Sequence, residues 1–127
     1  MIAVDASAVL AIYFNEPERA AFLTRISGVR AFMSPVNLWE VLVRAQAVDG
    51  EAGRGAAEQL IAGLGIEIVT IDSDTARASA DAYARFGKRS SGGLNLGDCF
   101  AYALAKARGL PLLFKGNDFS KTDIAPA

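Results

Sequence analysis

The stretch IAVDASAVLAIYF, residues 2–14, places a carboxylate between two apolar elements. Ile2–Val4 is a short apolar run that predicts a strand, and residues 6–14 have the composition of a helix. Asp5 lies where the two meet. Its side chain has two interpretations: it caps the N-terminus of the helix, or it belongs to a site at the carboxyl end of the strand. Taken alone, Asp5 is more simply explained as a cap.

The alternation of short apolar runs and longer helical patterns continues along the whole chain. Strands are predicted at residues 2–4, 31–34, 67–71 and 111–114, and helices at 6–14, 17–27, 35–48, 53–64, 73–86 and 97–108. Because strands separated by helices need crossover connections, this order predicts a mainly parallel sheet covered on both faces. No linker or internal repeat is recognisable. We therefore expect an α/β protein, a single three-layer α/β/α sandwich over residues 1–127.

The composition narrows the possible chemistry. The chain has 127 residues, a net charge of −1, a single cysteine and no histidine. The absence of histidine excludes Ser-His and Cys-His catalysis and every metal site that uses imidazole. Hydrolysis would then depend on carboxylates, lysines or a metal ion held by oxygen. No apolar run is long enough to span a membrane and no signal peptide is recognisable, so we expect a cytoplasmic protein with no membrane partner.

Four acids occupy positions where such a site could form. Asp5 and Asp118 follow the first and fourth predicted strands, and ligands of parallel sheets bind outside the carboxyl ends of the strands. Glu40 and Asp98 lie inside predicted helices, on faces that we expect to point inward. The neighbours on these faces are Val36, Val43 and Ala47 for Glu40, and Ala101, Tyr102 and Ala105 for Asp98.

Each of these acids also has a structural interpretation. Asp98 follows Asn95 by three residues, the spacing of a capping box. Asp118 could close a turn, and Glu40 could pair with Arg44 at the i+4 position. Taken together, however, four converging carboxylates would repel one another unless a cation neutralised them. An all-oxygen site selects a hard ion, Mg²⁺ or Mn²⁺, and such an ion supports phosphodiester hydrolysis.

Four stretches of the chain resemble the PIN domain, specifically the VapC type of bacterial toxin ribonuclease. They are VDASAVLAI (4–12), LWEVLVRA (38–45), LNLGDCFAYALAKARGLPLLFKGNDF (94–119) and TDI (122–124). The resemblance implies a metal-dependent ribonuclease whose catalytic and metal-binding carboxylates are Asp5, Glu40, Asp98 and Asp118. It also implies a homodimer and inhibition by a VapB-type antitoxin that enters the active-site groove.

Three further residues are candidates for auxiliary roles near the carboxylates. The hydroxyl of Ser7 could orient a ligand or a bound water, and an exposed first-turn serine is the alternative. Asn117 stands where relatives often carry a second acid, which lowers the local negative charge. Asp123 is a candidate auxiliary acid.

Candidate surfaces for RNA and for the antitoxin are also visible. The basic, glycine-rich segment RFGKRSSGGLN (85–95) precedes Asp98 and is either an RNA-binding loop or simply a solvated one. Trp39 is expected to be core or groove wall, and the aromatic residues of the first two helices form either an antitoxin groove or core. The candidate RNA contacts are Arg85, Lys88, Arg89 and Lys115, and the aromatic residues are Tyr13, Phe14 and Phe22.

Two other functions remain as alternatives. A receiver-like phosphoacceptor module would use Asp72 as the acceptor and Lys115 as its lysine, but it needs an acid pair after the first strand, where only Asp5 is present. That interpretation also leaves Glu40 and Asp98 without a role. The other alternative is a catalytically inactive PIN-like dimerisation module, in which the acids need not converge.

Overall fold

The strands form one parallel sheet in the computed structural model, which describes residues 1–88 and 92–127. The described residues form strands β1 (Ile2–Val4), β2 (Ala31–Met33), β3 (Ile66–Ile68) and β4 (Leu112–Leu113), and helices α1 (Ala6–Tyr13), α2 (Arg19–Ile26), α3 (Pro35–Gly63), α4 (Ser73–Phe86) and α5 (Leu96–Arg108). The strand order is β3-β2-β1-β4, and all three pairings are parallel.

The side chains of the strands alternate between two hydrophobic clusters, one on each face of the sheet. Ile2 and Val4 pack with buried residues of α1, α2 and α3, whereas Ala3 packs with residues of α4 and α5. Phe32 and Leu112 join the second cluster. The sheet is therefore buried on both sides, as parallel sheets require. The predicted three-layer α/β/α sandwich is confirmed.

The predicted helices 35–48 and 53–64 are the two halves of one bent element, α3. The break lies at Gly50, whose φ of 69° and ψ of −161° are not helical. A positive φ is easily adopted by glycine and strained for other residues. The Tyr13 hydroxyl donates a hydrogen bond of 2.7 Å to Asp49 beside this bend. The prediction of two helices is thus confirmed, and the two follow each other directly across the kink at Gly50.

The order of the strands places a crevice between β1 and β4. From β1 the chain continues to β2 and β3 on one side, and β4 is added on the other side, so the topology switches at the carboxyl ends of β1 and β4. The backbone N–H of Asp5 donates to the carbonyl oxygen of Leu113 at 2.9 Å, which fixes these two strand ends together. In α/β sheets, ligands bind at such a switch point.

Across residues 1–88 and 92–127, no helix is both long and apolar enough to cross a membrane.

Candidate active site

Asp5 is a helix cap through one of its carboxylate oxygens, and its other oxygen takes no part in the cap. It is the N-cap of α1, because its Oδ2 accepts a hydrogen bond of 3.1 Å from the backbone N–H of Ser7. Its Oδ1 is buried and has no hydrogen-bond partner among the described residues. Burial raises the pKa of Asp5, hydrogen bonds from Ser7 and Ala6 oppose this, and the charge of Asp118 adds to the rise. The unpartnered oxygen is the part of Asp5 that a helix cap does not explain.

Asp98 also combines a cap with an unfavourable charge. It forms a capping box with Asn95: Asp98 N–H donates to Asn95 Oδ1 at 2.9 Å, and Asn95 N–H donates to Asp98 Oδ2 at 3.0 Å. Its side chain is nonetheless buried, with 7% exposed. Burial raises the pKa of Asp98 from its ordinary 3.8 to about 7, and the charges of Asp5, Asp118 and Glu40 contribute to this rise.

The neighbours of Glu40 differ from the prediction. The predicted inward face is wrong: Val43 is 46% exposed and Ala47 is exposed, whereas Asn37 and Ala45 form part of the buried face. Glu40 itself is half-buried, and its Oε1 accepts a hydrogen bond of 2.8 Å from Asn37 Nδ2. The inward face predicted around Asp98 is correct, since Ala101, Tyr102 and Ala105 are all buried.

Glu40 does not form the ion pair that was its structural alternative. Glu40 and Arg44, which both lie in the described part of the chain, form no salt bridge. Burial raises the pKa of Glu40, the hydrogen bond from Asn37 opposes this, and the charge of Asp5 adds to the rise. Glu40 therefore faces the other acids rather than a cation.

The four carboxylates influence one another. Asp5 raises the pKa of Glu40, Asp118 raises that of Asp5, and all three raise that of Asp98. In the described ranges, 1–88 and 92–127, no group of three or more Asp, Glu or Cys side chains is already arranged to hold a metal ion. The acids are thus neighbours at the crevice without forming a closed cage.

The donor set fits a hard divalent cation. All four groups offer carboxylate oxygens, and a cation would supply the partner that the buried Oδ1 of Asp5 lacks within the described part of the chain. A positive charge at this place would also relieve the repulsion that raises the pKa of Asp98. Because the carboxylates are neighbours but not yet a cage, the side chains would have to adjust to share one ion.

The predicted auxiliary residues have structural contacts of their own. The Ser7 hydroxyl accepts a hydrogen bond of 2.9 Å from the backbone N–H of Lys115, so it joins α1 to the loop after β4. Asp123 accepts hydrogen bonds from the Tyr102 hydroxyl and Lys106 Nζ, which lower its pKa. The carbonyl of exposed Asn117 closes a turn by accepting from Ser120. These contacts give each residue a role in the fold, and they provide no support for Asp123 as an auxiliary acid.

The candidate RNA contacts differ in how available they are. Lys115 Nζ pairs with Glu16 at 2.8 Å and with Glu18 at 3.3 Å, and the hydrogen bond to Glu16 is the main reason that its pKa is raised. Its charge is thus already compensated, which argues against the predicted phosphate contact.

Two of the candidate RNA contacts in the basic segment before Asp98 lie within the described residues. Arg85 lies over the ring of Phe86 at 4.7 Å, and Lys88 is exposed. Arg89 lies outside the described residues.

The aromatic candidates are divided between core and surface. Trp39 is 62% exposed, so of its two predicted places, core or groove wall, the core is excluded and the groove wall stays a prediction. Tyr13 and Phe22 are partly buried against the first hydrophobic cluster, which supports the core interpretation for both. Phe14 lines a groove of about 360 Å³ together with Leu10 and Arg44, and its ring packs edge-on against that of Tyr13, with 4.9 Å between the ring centroids.

The receiver-like alternative is not supported by the positions of its residues. Asp72 is the N-cap of α4 and forms a capping box with Thr75, whose N–H donates to Asp72 Oδ1 at 3.1 Å. This hydrogen bond lowers the pKa of Asp72. Lys115, the proposed lysine partner, is paired with Glu16 and Glu18 instead. Asp72 is therefore a helix cap.

Replacing Asp72 with alanine should destabilise the protein without affecting its activity. Loss of the cap is expected to lower the Tm by about 4 °C, because the N–H of Thr75 loses its acceptor. Thermal unfolding and RNA cleavage measure the two effects. Asp74→Ala is the matched control: Asp74 is an exposed neighbour that pairs with Arg77, and its removal should shift the Tm less. Loss of RNA cleavage in Asp72→Ala but not in Asp74→Ala would contradict the assignment of Asp72 as a helix cap only.

A parallel α/β sandwich with interacting carboxylates at its switch point can support hydrolysis assisted by a divalent ion. The family model described as "PIN domain" matches residues 2–125, and the chain therefore belongs to the PIN domain family.

Relatives of known name or structure extend over nearly the whole chain. "VapC ribonuclease Mb0640" of Mycobacterium bovis is 38% identical over 124 residues, which cover 96% of this chain and 95% of the relative. The crystal structure of Mycobacterium tuberculosis VapC20, described as a sarcin-ricin loop cleaving toxin, aligns with a TM-score of 0.82 at 15% identity and covers 100% of this chain and 98% of that one. A toxin-antitoxin complex from Klebsiella pneumoniae aligns with a TM-score of 0.72 at 19% identity over 97% of this chain and 93% of that one.

Proposed function

We propose that this chain is a VapC-type endoribonuclease, the toxin of a type II toxin–antitoxin pair, and that residues 1–127 act as one nuclease domain. The similarity to a VapC ribonuclease over nearly the full length supports this function. The observation that carries the proposal is the mutual influence of Asp5, Glu40, Asp98 and Asp118 at the carboxyl edge of the sheet. An inactive dimerisation module would have no use for acids that destabilise one another.

Each carboxylate has a role in the proposed reaction. When bound, a divalent ion neutralises the acids and stabilises the negative charge that develops on the scissile phosphate. Asp5 offers Oδ1, which has no hydrogen-bond partner among the described residues, and Glu40 offers Oε2, the oxygen that Asn37 does not engage. Asp98 can hold a proton near neutral pH in the metal-free protein, and exposed Asp118 lies at the open side of the crevice.

VapC nucleases of the PIN family generally depend on a divalent metal. We propose Mg²⁺ or Mn²⁺ for this chain. The four candidate ligands are carboxylates, and hard oxygen ligands favour these ions over softer metals.

The proposed partners are an RNA substrate, a cognate VapB-type antitoxin and a second copy of the chain, in the cytoplasm. The exposed side chains of Trp39 and Val43 lie one turn apart on α3, beside Glu40. Exposed apolar side chains of this kind are typical of a surface that another protein chain covers. The shared fold with a toxin–antitoxin complex is consistent with an antitoxin.

The function is tested by RNA cleavage with purified, antitoxin-free protein. A panel of structured RNAs is incubated with Mg²⁺, with Mn²⁺ or with EDTA, and the products are mapped on a sequencing gel. We expect cleavage with either ion and none with EDTA, because the carboxylates alone would repel the phosphate backbone. Asp5→Asn should be inactive. Cleavage that persists in EDTA or in this variant would contradict the proposed site.

A further inference from the structure

Asn37 is a polar residue that is fully buried on α3, with 0% exposed. Its amide nitrogen Nδ2 makes two hydrogen bonds in different directions. One goes to Glu40 Oε1 at 2.8 Å, one turn further along the same helix, and the other goes to the carbonyl oxygen of Gly97 at 3.0 Å. A single side chain thus links the carboxylate of Glu40 to the first turn of α5, where Asp98 is the next residue.

Gly97 provides the space in which the carboxylate of Glu40 lies. A Cβ atom at this position would be 2.1 Å from Glu40 Oε1 and 2.4 Å from Oε2, well inside van der Waals contact. The carboxylate of Glu40 therefore packs directly against the Cα of Gly97. Any other residue would push this carboxylate away from α5.

The remaining atom of the Asn37 amide argues against a purely stabilising role. Its Oδ1 is buried and has no hydrogen-bond partner among the described residues. A buried acceptor without a partner is destabilising, and leucine, whose side chain has the same branching and number of heavy atoms, would avoid this cost. The Gly97 carbonyl would retain its helical partner if Asn37 were lost. The amide is thus better explained by the orientation of Glu40 than by stability.

We propose that Asn37 is a positioning residue that holds the carboxylate of Glu40 against Gly97 and beside Asp98, in the place where both contribute to cation binding. This inference rests on the proposed function. Asn37 does not touch the ion or the RNA in this role and acts through Glu40. Mutation of a residue that orients a metal ligand typically weakens metal binding by about 10- to 100-fold.

The test measures Mn²⁺ binding without RNA, by the electron paramagnetic resonance signal of free Mn²⁺. Asn37→Leu should weaken Mn²⁺ binding by about 10- to 100-fold and shift the Tm by less than about 4 °C. Gly97→Ala should weaken binding in the same direction, because its methyl group displaces Glu40. This variant should fold, since the methyl group meets the end of a flexible side chain and alanine has the higher helix propensity. If Asn37→Leu does not fold, the Mn²⁺ affinity of Gly97→Ala tests whether the position of Glu40 matters for binding.

A double-mutant cycle separates positioning from a general structural effect. In a Glu40→Ala background, Asn37→Leu should cause no further loss of Mn²⁺ affinity. Ser79→Ala is the control: it removes a buried hydroxyl that donates to the Thr75 carbonyl at 2.8 Å on α4, far from the carboxylates in sequence, and it should leave Mn²⁺ binding unchanged.

Asp98→Asn distinguishes failure of this inference from failure of the proposed function. If Asp98→Asn loses Mn²⁺ affinity but Asn37→Leu and Gly97→Ala retain it, the positioning role is wrong and the metal site stands. An additive loss in the Glu40→Ala background also overturns the positioning role. If Asp98→Asn binds Mn²⁺ as tightly as the wild type, the metal site itself is wrong.

Discussion

Replacing Asp98 with asparagine is expected to slow metal-dependent RNA cleavage by about 10³-fold while the protein stays folded. The substitution removes the negative charge of the acid whose pKa responds to Asp5, Asp118 and Glu40 together. The capping box should survive, because an asparagine oxygen can still accept the hydrogen bond that Asn95 N–H now donates to Asp98. The rate constant for cleavage under single-turnover conditions is the measurement.

Asp123→Asn is the matched control for this prediction. It makes the same chemical change in an acid that is bonded to the Tyr102 hydroxyl and to Lys106. The charge of Asp123 is not among those that raise the pKa of Asp98. Cleavage by Asp123→Asn should therefore stay within a few-fold of the wild type. Equal losses in the two variants would mean that the loss reflects folding or net charge rather than a metal site.

The sequence predicted the fold because the local signals in this chain agree with its tertiary structure. Short apolar runs alternate with helical patterns, and this order leaves few arrangements other than a parallel sheet with helices on both faces. Asp5 was harder to interpret because a cap and a site require the same residue at the same place. The structure confirms the cap, which Oδ2 makes, and leaves Oδ1 without a partner among residues 1–88 and 92–127, so the site at Asp5 stays a prediction.

The features that the sequence did not predict depend on residues far apart in the chain. The buried face of α3 was assigned from the apolar residues around Glu40, but it contains Asn37, whose amide is paired with a carbonyl 60 residues away. Lys115 was expected to be available to RNA, yet Glu16, which is 99 residues away in sequence, compensates its charge. Periodicity reports which residues share a face. It does not report which polar groups find partners across the fold.

The metal-free protein should become less stable as the pH rises toward neutrality. In the folded state burial raises the pKa of Asp98 from 3.8 to about 7, so between these values the folded protein holds a proton that the unfolded chain has released. The associated stability is fully present below about pH 4 and is lost as the pH rises through about 7. The rise in the pKa of Asp98 corresponds to a loss of about 4 kcal/mol in the free energy of unfolding over the whole pH range. Of this loss, about 2 kcal/mol falls between pH 5.5 and pH 8. Asp5 and Glu40 act in the same direction, because burial raises the pKa of each.

Urea unfolding in EDTA at about pH 5.5 and pH 8 measures this loss, and Asp98→Asn should lack the part that Asp98 contributes. Mn²⁺ should restore stability at pH 8 in the wild type, because the ion binds the ionised carboxylates of the folded state. Restoration should be much weaker in Asp98→Asn. A wild type that is equally stable at both pH values, with or without Mn²⁺, would show that the four carboxylates neither repel one another nor share an ion. The acids would then be helix caps and surface groups, as each of them can be explained when taken alone.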